Sequence, residues 1–302
     1  MRRACIDIGS NTTRLLVAEL DGTGLTPLHE ERVFTRLGAA LGDDGTIPEE
    51  KRREVIEVVA AQLRSARSLE VHAVHGVATA AVRCAADGPE FVREVAERTG
   101  LELAVLSDEE EARLAFRGAA GTFTGPPPDP LGVLDVGGGS SEVVVGRAPD
   151  RIDWWRSLPI GSGSLARAHL HRDPPTDAEL QTARAVVAEV VDTLEAPSVA
   201  GVVAVGGSAT SLGRIAGPTL DEDALTRSLA VLTAEPAAAV AARHGIAADR
   251  ARLLPAGILI LQGLAARLEC TVTVGCGGVR EGVLLEAGAR ERPTRRGPQA
   301  EP

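Results

Sequence analysis

The sequence predicts an α/β protein built from two similar halves, and three observations support that prediction. Strand-like apolar runs alternate with helix-like amphipathic runs along most of the 302 residues. A segment rich in glycine and proline, residues 121–130, interrupts this alternation and is expected to be a hinge. Each half opens with the same pattern, a strand that ends in Asp-Ile-Gly or Asp-Val-Gly and is followed by hydroxyl-bearing residues. We therefore expect a duplicated α/β unit with a cleft between its halves.

The first half, residues 1–124, begins with two apolar strands joined by the turn Gly-Ser-Asn. A second turn at 21–24 leads into a third strand that ends near Arg32, as in a hairpin. Apolar periodicity then predicts alternating helices and strands. These elements are a helix over about 48–67, a strand over 71–78, a helix over about 89–98, a strand over 101–107 and a helix that begins near Asp108.

The second half, residues 125–290, restarts the same pattern after the hinge. Its expected elements are strands over 131–136, 142–145 and 152–158, a helix, a strand over 201–206, a further helix, and a closing segment over 271–288. The tail, residues 291–302, has no apolar periodicity and is expected to be disordered.

The charge balance restricts the partners that the protein can bind. A net charge of -10 argues against broad binding to nucleic acid or anionic membranes, because such binding depends on many basic contacts to phosphates. No N-terminal segment has the pattern of a signal peptide, and the longest apolar run, 253–266, is expected to be too short and too interrupted to span a bilayer. A cytoplasmic location is the resulting prediction.

Two rare residue types exclude further kinds of site. Cys5, Cys84, Cys270 and Cys276 lack the spacing of metal ligands, so we expect them to be reduced and mostly buried. Lys51 is the only lysine and lies in a helix-like stretch, whereas a Walker A loop needs Gly-Lys-Ser or Gly-Lys-Thr. A P-loop nucleotidase is therefore excluded.

The two Gly-rich turns are suited to binding phosphate, because backbone N–H groups converge there and small hydroxyls add donors. Asp7 and Asp135 precede these turns, and a carboxylate beside bound phosphate is most useful for holding a divalent cation. Each aspartate could instead cap its own turn as an Asx motif, but the repetition favours a metal and phosphate cleft. The candidate phosphate-binding residues in these turns are Gly9, Ser10, Asn11, Thr12, Gly137, Gly138, Gly139, Ser140 and Ser141.

A third phosphate-binding element is expected at Gly206, Gly207 and Ser208, where a strand leads through Gly-Gly-Ser into a helix. The helix N-terminus can direct N–H groups and a partial positive charge at an anion. The alternative is a simple helix cap by Ser208 or Thr210.

A run of acids opens the helix predicted to begin near Asp108, with Ser107 or Asp108 as its N-cap. Acids in a first turn complement the helix dipole, which accounts for most of them without any chemistry. Since successive helical residues differ by about 100°, only one of Glu109, Glu110 and Glu111 can face the cleft comfortably.

Taken together, the motifs resemble the exopolyphosphatase and guanosine pentaphosphate phosphatase family in order and spacing, from about residue 3 to residue 287. The motifs are IDIGSNTTRLLV, ATAAVR, SDEEEARLAFRG, LDVGGGSSE, SLPIGSG, VGGSATSL and GGVREGVLLE. That family belongs to the sugar kinase, Hsp70 and actin superfamily. The resemblance therefore implies a two-domain actin-like ATPase fold, related to ribonuclease H, with its active site in the cleft between the domains.

The resemblance also assigns roles to residues. It implies that Glu111 is the general base and that Glu142 helps to position the water or the metal, Mg²⁺ or Mn²⁺, which Asp7, Asp135 and Glu142 would hold. Arginines inside the family motifs are candidates for phosphate binding because a guanidinium suits phosphate oxygens. They are Arg14, Arg36, Arg83 and Arg280. One departure is Ser164, where the family usually has an arginine, which puts one phosphate contact in doubt.

The reaction implied by the resemblance is hydrolysis of the terminal phosphoanhydride of inorganic polyphosphate. The alternative substrate is pppGpp, because it presents the same kind of anhydride. A non-catalytic alarmone sensor and a sugar or acetate kinase are rival classes, and the presence of both Glu111 and Glu142 argues against them. A homodimer is expected only from the resemblance.

Overall fold

The computed structural model describes residues 1–21 and 24–290. The first half forms a sheet of five strands in the order β3-β2-β1-β4-β5. Strands β1 to β3 are antiparallel neighbours, whereas β4 and β5 run parallel to β1. The elements of this half are β1 (Arg2–Ile8), β2 (Thr13–Leu20), β3 (Leu25–Val33), α1 (Leu37–Ala40), α2 (Glu49–Ser68), β4 (Ala73–Ala78), α3 (Ala80–Arg83), α4 (Gly88–Thr99), β5 (Leu103–Val105) and α5 (Asp108–Gly121).

The second half forms a sheet of six strands in the order β10-β11-β9-β6-β7-β8. Its elements are β6 (Leu131–Val136), β7 (Ser141–Arg147), β8 (Arg151–Leu158), α6 (Ser162–His169), α7 (Asp177–Val191), β9 (Gly201–Val205), α8 (Gly206–Ala216), β10 (Thr219–Leu220), α9 (Glu222–Ala234), α10 (Ala237–His244), α11 (Ala248–Leu268), β11 (Val272–Val274) and α12 (Val279–Arg290).

The duplication predicted from the sequence is confirmed by the pairing of the strands. In each half an antiparallel three-strand meander carries a parallel extension on the side of its first strand, β1-β4-β5 in one sheet and β6-β9-β11 in the other. The two aspartates occupy equivalent places near the ends of β1 and β6, which are interior strands of their sheets. Because the carboxyl ends of parallel strands meet at one edge of a sheet, both aspartates lie beside the loops that follow them.

Helices α5 and α12 lie between the two sheets and connect the halves. Leu114 of α5 and Leu284 of α12 belong to one apolar cluster with Leu16 of the first sheet. Phe116 of α5 packs against Val133 and its neighbours in the second sheet. Each helix thus contacts elements beyond its own stretch of sequence, and the domain boundary at residues 124 and 125 stays a prediction.

Glycine allows α5 and α12 to approach backbone to backbone. A Cβ atom at Gly118 would lie within 3.0 Å of the carbonyl oxygen of Gly278, and one at Gly282 within 3.0 Å of that of Leu114. Any larger residue would clash with main chain that cannot rotate away. This crossing fixes the carboxylate-bearing start of α5 relative to the arginine-bearing start of α12.

The helices of the second half are more numerous than the sequence predicted. One helix was expected between β8 and β9, and one between β9 and the closing segment, but the structure has two and four. Glycine and proline at Gly217, Pro218, Pro236 and Gly245 divide the second stretch into separate helices, since they end or start helical turns.

Among the described residues, only α11 is long and apolar enough to cross a membrane by length and composition. The helix extends beyond both ends of the apolar run over 253–266, and Pro255 lies inside it. In the structure 56% of its apolar window is buried inside the protein, and its middle is part of the main apolar cluster of the second half. Helix α11 is therefore a core helix.

The prediction that the cysteines are mostly buried is wrong. Only Cys5 is buried, whereas Cys270 is partly exposed and Cys84 and Cys276 are exposed, and all four are free thiols. No apolar periodicity places Cys84 or Cys276 on an inward face, because each lies in a loop that follows a short helix or strand.

The turn residues at 22–23 and the tail over 291–302, for which we predicted a hairpin turn and disorder, lie outside the described residues.

Candidate active site

A cavity of about 110 Å³ lies between the two halves, and most of the predicted site residues line it. The first and second Gly-rich turns face each other across it, and the start of α8 and the start of α12 complete its wall. The predicted residues in the lining are Asp7, Gly9, Ser10, Asn11, Thr12, Arg14, Glu111, Asp135, Gly137, Gly138, Gly139, Ser140, Gly206, Gly207 and Arg280. Positions as distant in sequence as Asp7 and Arg280 are thus brought together, as the duplication implied.

The first two turns hold each other closely. A Cβ atom at Gly138 would lie within 3.0 Å of the Asn11 amide, and one at Gly139 within 3.0 Å of Ser10 Oγ. Each turn also closes on itself, since Gly9 N donates to Thr12 O at 3.0 Å and Gly137 N donates to Ser140 O at 3.0 Å. The glycines are therefore required for the close approach of one turn to the other.

Ser164 and Ser141 stabilise the second turn from behind. Ser164 Oγ donates to Gly161 O at 3.1 Å and accepts from Gly161 N at 2.9 Å. Ser141 is fully buried and donates to Ile160 O at 2.6 Å, so it does not face the cavity. Ser164, where the resemblance led us to expect an arginine, thus has a local role in the start of α6.

The third element is the N-terminus of α8, an 11-residue helix whose first residues Gly206 and Gly207 line the cavity. The helix has no side-chain cap, and Thr210 Oγ1 donates instead to Gly206 O at 3.0 Å. Ser208 is fully buried behind the cavity, so it neither caps the helix nor reaches the lining. The first N–H groups of an α-helix have no partner within the helix, so a helix start at this position is suited to an anion.

Glu111 is the acid of α5 that faces the cavity. Ser107 is the N-cap and forms a capping box with Glu110, while Glu109 and Glu110 are exposed. The prediction that one of the three glutamates faces inward is confirmed. Glu111 is 9% exposed and accepts a hydrogen bond from Arg83 Nη1 at 3.1 Å. Burial raises the pKa of Glu111 from 4.5 to about 7, although Arg83 opposes that change.

Glu142 lies beside Glu111, buried behind the lining of the cavity. It is 1% exposed, and Ser157 Oγ donates to it at 2.9 Å. Burial raises its pKa well above 4.5, and the neighbouring Glu111 and Asp135 raise it further. Carboxylate oxygens of Asp108, Glu111 and Glu142 lie within 4.8 Å of one another, which is close enough to share a cation.

Asp7 and Asp135 also line the cavity, and burial raises the pKa of both, that of Asp135 to about 6. Asp7 Oδ1 is buried and has no hydrogen-bond partner in the part of the chain that the structure describes. An Asx cap would give this oxygen a backbone N–H. Hard oxygen donors of this kind are what Mg²⁺ and Mn²⁺ bind in proteins, so these two residues fit a divalent cation.

The four predicted arginines have different surroundings. Arg14 and Arg280 line the cavity, and Arg280 is buried and donates to Leu15 O at 3.1 Å. Arg83 lies outside the lining and pairs with Glu111 and Asp108. Arg36 is exposed and pairs with Asp249 across the cleft. The structure thus brings two of the four arginines to the cavity.

Several lining residues were missed by the sequence reasoning. Arg250 is 5% exposed and packs so close to the backbone of Gly207 that a Cβ there would clash with its guanidinium. No motif marked Arg250, because it lies in an ordinary helical stretch among many arginines. Glu281 adjoins Arg280 in the GGVREG motif, which could have identified it. The other missed lining residues are Thr79, Ala80, Val136, Thr210, Cys276, Gly277, Gly278 and Val279.

The fold defines the class of the protein: two similar α/β halves with a cavity between them have the architecture of the actin-like ATPase proteins. The family model of the Ppx/GppA phosphatases matches residues 16–291. The chain belongs to the Ppx/GppA phosphatase family.

Relatives and solved structures agree with this assignment. Exopolyphosphatase 1 of Mycobacterium tuberculosis is 32% identical over 303 residues, which cover 94% of this chain and 88% of that protein. Exopolyphosphatase 2 of the same organism is 30% identical over 300 residues, covering 89% and 91%. The crystal structure of the Aquifex aeolicus family member superposes with a TM-score of 0.81 at 28% identity, covering 97% of this chain and 99% of that chain.

Proposed function

We propose that the protein is an exopolyphosphatase, which hydrolyses the terminal phosphoanhydride of inorganic polyphosphate and releases orthophosphate. The observation that carries the proposal is a buried carboxylate, Glu111, in the cavity that is also lined by the Gly-rich turns for which we predict phosphate binding. At about 110 Å³ the cavity suits one phosphoryl group and one water, which is what an enzyme that cleaves chain ends needs. The relatives named exopolyphosphatase support the same substrate.

In the proposed reaction the three turns hold the terminal phosphoryl group, with the N-terminus of α8 and Arg14 stabilising its charge. Water attacks the terminal phosphorus atom, and its proton passes to Glu111. The bond to the bridging oxygen breaks, and the shortened chain leaves with that oxygen. A base with a pKa of about 7 is half ionised near neutral pH and can both orient the water and accept its proton. Most of the rate enhancement would come from positioning and charge neutralisation.

Asp7, Asp135 and Glu142 would hold a divalent cation, Mg²⁺ or Mn²⁺, which supplies neutralisation of the phosphate charge. The cluster of Asp108, Glu111 and Glu142 is a second candidate set, and the two sets share Glu142. Mn²⁺ binding measured by electron paramagnetic resonance separates them, because Asp7→Asn should weaken binding about tenfold or more and Asp108→Asn much less. The opposite order would assign the cation to the second set.

The first alternative is hydrolysis of pppGpp, because the cavity accommodates the terminal anhydride of either substrate. No lining residue of the cavity is aromatic among the described residues, so nothing there favours a guanine base. Two other classes are disfavoured: a non-catalytic sensor has no use for a base with a raised pKa, and a kinase needs a pocket for an acceptor.

The test is phosphate release in the presence of Mg²⁺ from short polyphosphate, long polyphosphate, pppGpp and ATP. We expect the highest kcat/KM with polyphosphate. Glu111→Gln should lower kcat by about 10²-fold or more, the usual contribution of a positioned general base. Glu109→Gln is the matched control, since it removes the same charge from an exposed site on the same helical turn. Wild-type inactivity on all four substrates would refute hydrolysis, and an active Glu111→Gln variant would refute the assignment of the base.

The cytoplasmic location, the absence of nucleic-acid and membrane partners, and the homodimer remain predictions.

A further inference from the structure

The four free cysteines differ in their surroundings, and Cys276 is the one that lies at the candidate active site. Cys5 is buried and Cys270 is only partly exposed. Cys84 is exposed but does not line the cavity with Glu111. Cys276 is exposed and does line that cavity. The described part of the chain thus presents one exposed thiol at the site and one exposed thiol away from it, and the second is an internal control for the first.

A second cavity, of about 510 Å³, lies beside the cavity with Glu111, and Cys276 lines both. We call it the neighbouring cavity. The thiol therefore lies on the wall where the two spaces meet. Ligand pockets commonly measure about 300–1,000 Å³, so a small organic compound can reach Cys276 from the neighbouring cavity. The cavity with Glu111 measures only about 110 Å³, so a group attached to the thiol there would leave no room for a phosphoryl group.

The loop that carries Cys276 is fixed on both sides of the thiol. On one side, Gly275 N donates to Ala204 O of β9 at 2.8 Å. On the other side, a Cβ atom at Gly277 would lie within 3.0 Å of the carbonyl oxygen of Gly118 in α5, so the two backbones are in direct contact. Because the loop is held between β9 and α5, it cannot move away from the site, and a group attached to Cys276 Sγ would stay at the wall of the two cavities.

The charge around the exposed side of Cys276 is positive. In the lining of the neighbouring cavity, among residues 1–21 and 24–290, the only acidic residue is Glu30. The arginines in the same lining are Arg14, Arg32, Arg214, Arg250 and Arg280. The carboxylates of the candidate active site line only the smaller cavity. Positive surroundings attract anionic compounds and repel cationic ones, and reactive cysteines are found in such partly exposed, electropositive places.

A second observation at the same wall indicates an anionic group next to the thiol. Arg250 is 5% exposed and lines both cavities, as Cys276 does. Its Nε atom is buried and has no hydrogen-bond partner in the described part of the chain. An unpaired buried donor is costly, so Arg250 is suited to a ligand that accepts a hydrogen bond. A carboxylate is such an acceptor, and it matches a guanidinium in charge and geometry.

We propose that Cys276 is a site of reversible modification by a low-molecular-weight disulfide that carries carboxylate groups. Cys276 Sγ attacks one sulfur of the disulfide, so that a new S–S bond forms to that half of the compound and the original S–S bond breaks. The other half leaves with the electron pair of the broken bond and takes up the proton that Cys276 loses, and an added thiol reverses the exchange. The attached half then blocks the cavity with Glu111. This last consequence rests on the proposed function, whereas the modification itself does not.

Two small disulfides of opposite charge test the modification without any measurement of activity. Oxidised glutathione is anionic and cystamine is cationic, and mass spectrometry of the digested wild-type protein gives the rate of modification at Cys276 and at Cys84. We expect the ratio of these two rates, Cys276 to Cys84, to be about tenfold higher with oxidised glutathione than with cystamine, and this difference should shrink in high salt. Equal ratios with the two compounds, or faster modification of Cys84 by oxidised glutathione, would overturn the proposal.

Phosphate release from polyphosphate then tests the consequence for the site, with each protein compared with its own untreated activity. Oxidised glutathione should lower the activity of the wild type and of Cys84→Ser about tenfold or more, and dithiothreitol should restore it. Cys276→Ser should keep its own activity under the same treatment. A fully modified wild type that stays active, or an equal loss in Cys276→Ser, would overturn the blocking of the cavity. If the untreated wild type hydrolyses nothing, the proposed function fails, while selective modification of Cys276 in the mass spectra still supports the thiol site.

Discussion

Asp7 lies opposite Arg14 across the first strand pair of the first half, whereas Asp135 lies opposite Glu142 at the equivalent place in the second half. Directly opposite residues on antiparallel strands interact strongly, so this one position sets the charge of each half of the site. Arg14 lowers the pKa of Asp7 against the effect of burial, while Asp135 raises the pKa of Glu142. The same structural unit thus places a cation beside the aspartate in one half and a second carboxylate beside it in the other, which is consistent with the different roles that we propose for the two halves.

The largest expected effect comes from Glu142, the carboxylate opposite Asp135 in the second half. Glu142→Gln keeps the shape and the hydrogen bond from Ser157 but removes the charge. We expect kcat on polyphosphate to fall about 10²-fold or more with little change in KM, because in our proposal Glu142 acts on the water or the cation and does not itself contact the polyphosphate chain. Ser157→Ala is the control, since it leaves the carboxylate and should cost less than about tenfold in kcat. If kcat of the Glu142→Gln enzyme lies within about tenfold of the wild-type value, the carboxylate of the second half is not needed for catalysis, and the proposed difference between the two halves is wrong.

The second largest expected effect concerns the crossing of α5 and α12, which holds the two halves of the protein together. Gly282→Ala places a Cβ against the carbonyl of Leu114 and should lower the free energy of unfolding by about 1–3 kcal/mol or more, measured by urea denaturation. Gly288→Ala on the same helix is the matched control, because its Cβ would meet Leu20 Cδ2 at 3.5 Å. This control should be neutral or stabilising by up to about 1 kcal/mol. Equal stability of the two variants would mean that the helices can separate without cost.

The features that depend on a repeated motif or on helical periodicity could be predicted from the sequence alone. The paired aspartates could be predicted because similar short patterns recur in equivalent places. Helix geometry predicted that one of three glutamates faces the cleft, and the family resemblance selected Glu111 among them. The start of α5 was predicted correctly at Asp108, and its capping box explains why.

The parts that could not be predicted depend on contacts between distant segments. Arg250 reaches the cavity only because α11 packs against the start of α8, and nothing in its neighbouring residues signals this. Arg83 was predicted to bind phosphate, but it pairs with Asp108 and Glu111, a partnership that depends on how α3 meets α5. Among so many arginines, only the three-dimensional structure separates those at the cavity from those on the surface.

A smaller effect on the kinetics is expected from Arg14, the residue opposite Asp7 in the first half. Arg14→Gln should raise KM for polyphosphate about tenfold and change kcat only a few-fold, because the residue contributes binding. Arg36→Gln should change KM less than about twofold, since its guanidinium is exposed and paired with Asp249. If the two variants raise KM equally, Arg36 binds substrate as the sequence predicted.

The smallest effect is on the stability of the protein in EDTA, without divalent cations. The folded-state pKa of Glu111, about 7, exceeds its ordinary value of 4.5, so the fold disfavours the ionised form. Below pH 4.5 the group is protonated in both states and has no effect, whereas the destabilisation grows between pH 4.5 and 7 and is complete above 7.

Glu111→Gln removes that destabilisation. The change in pKa corresponds to at most about 3 kcal/mol, and the loss of the ion pair with Arg83 offsets part of it. The variant should therefore raise Tm by roughly 2 °C above pH 7, corresponding to a net gain of about 1 kcal/mol. Relative to that gain, the change in Tm near pH 4.5 should be smaller. Glu109→Gln should show no such difference between the two pH values, because the residue is exposed. A Tm gain of Glu111→Gln that is independent of pH would mean that the carboxylate does not carry this charge in the fold, and the contrast between the two halves would then rest on Glu142 alone.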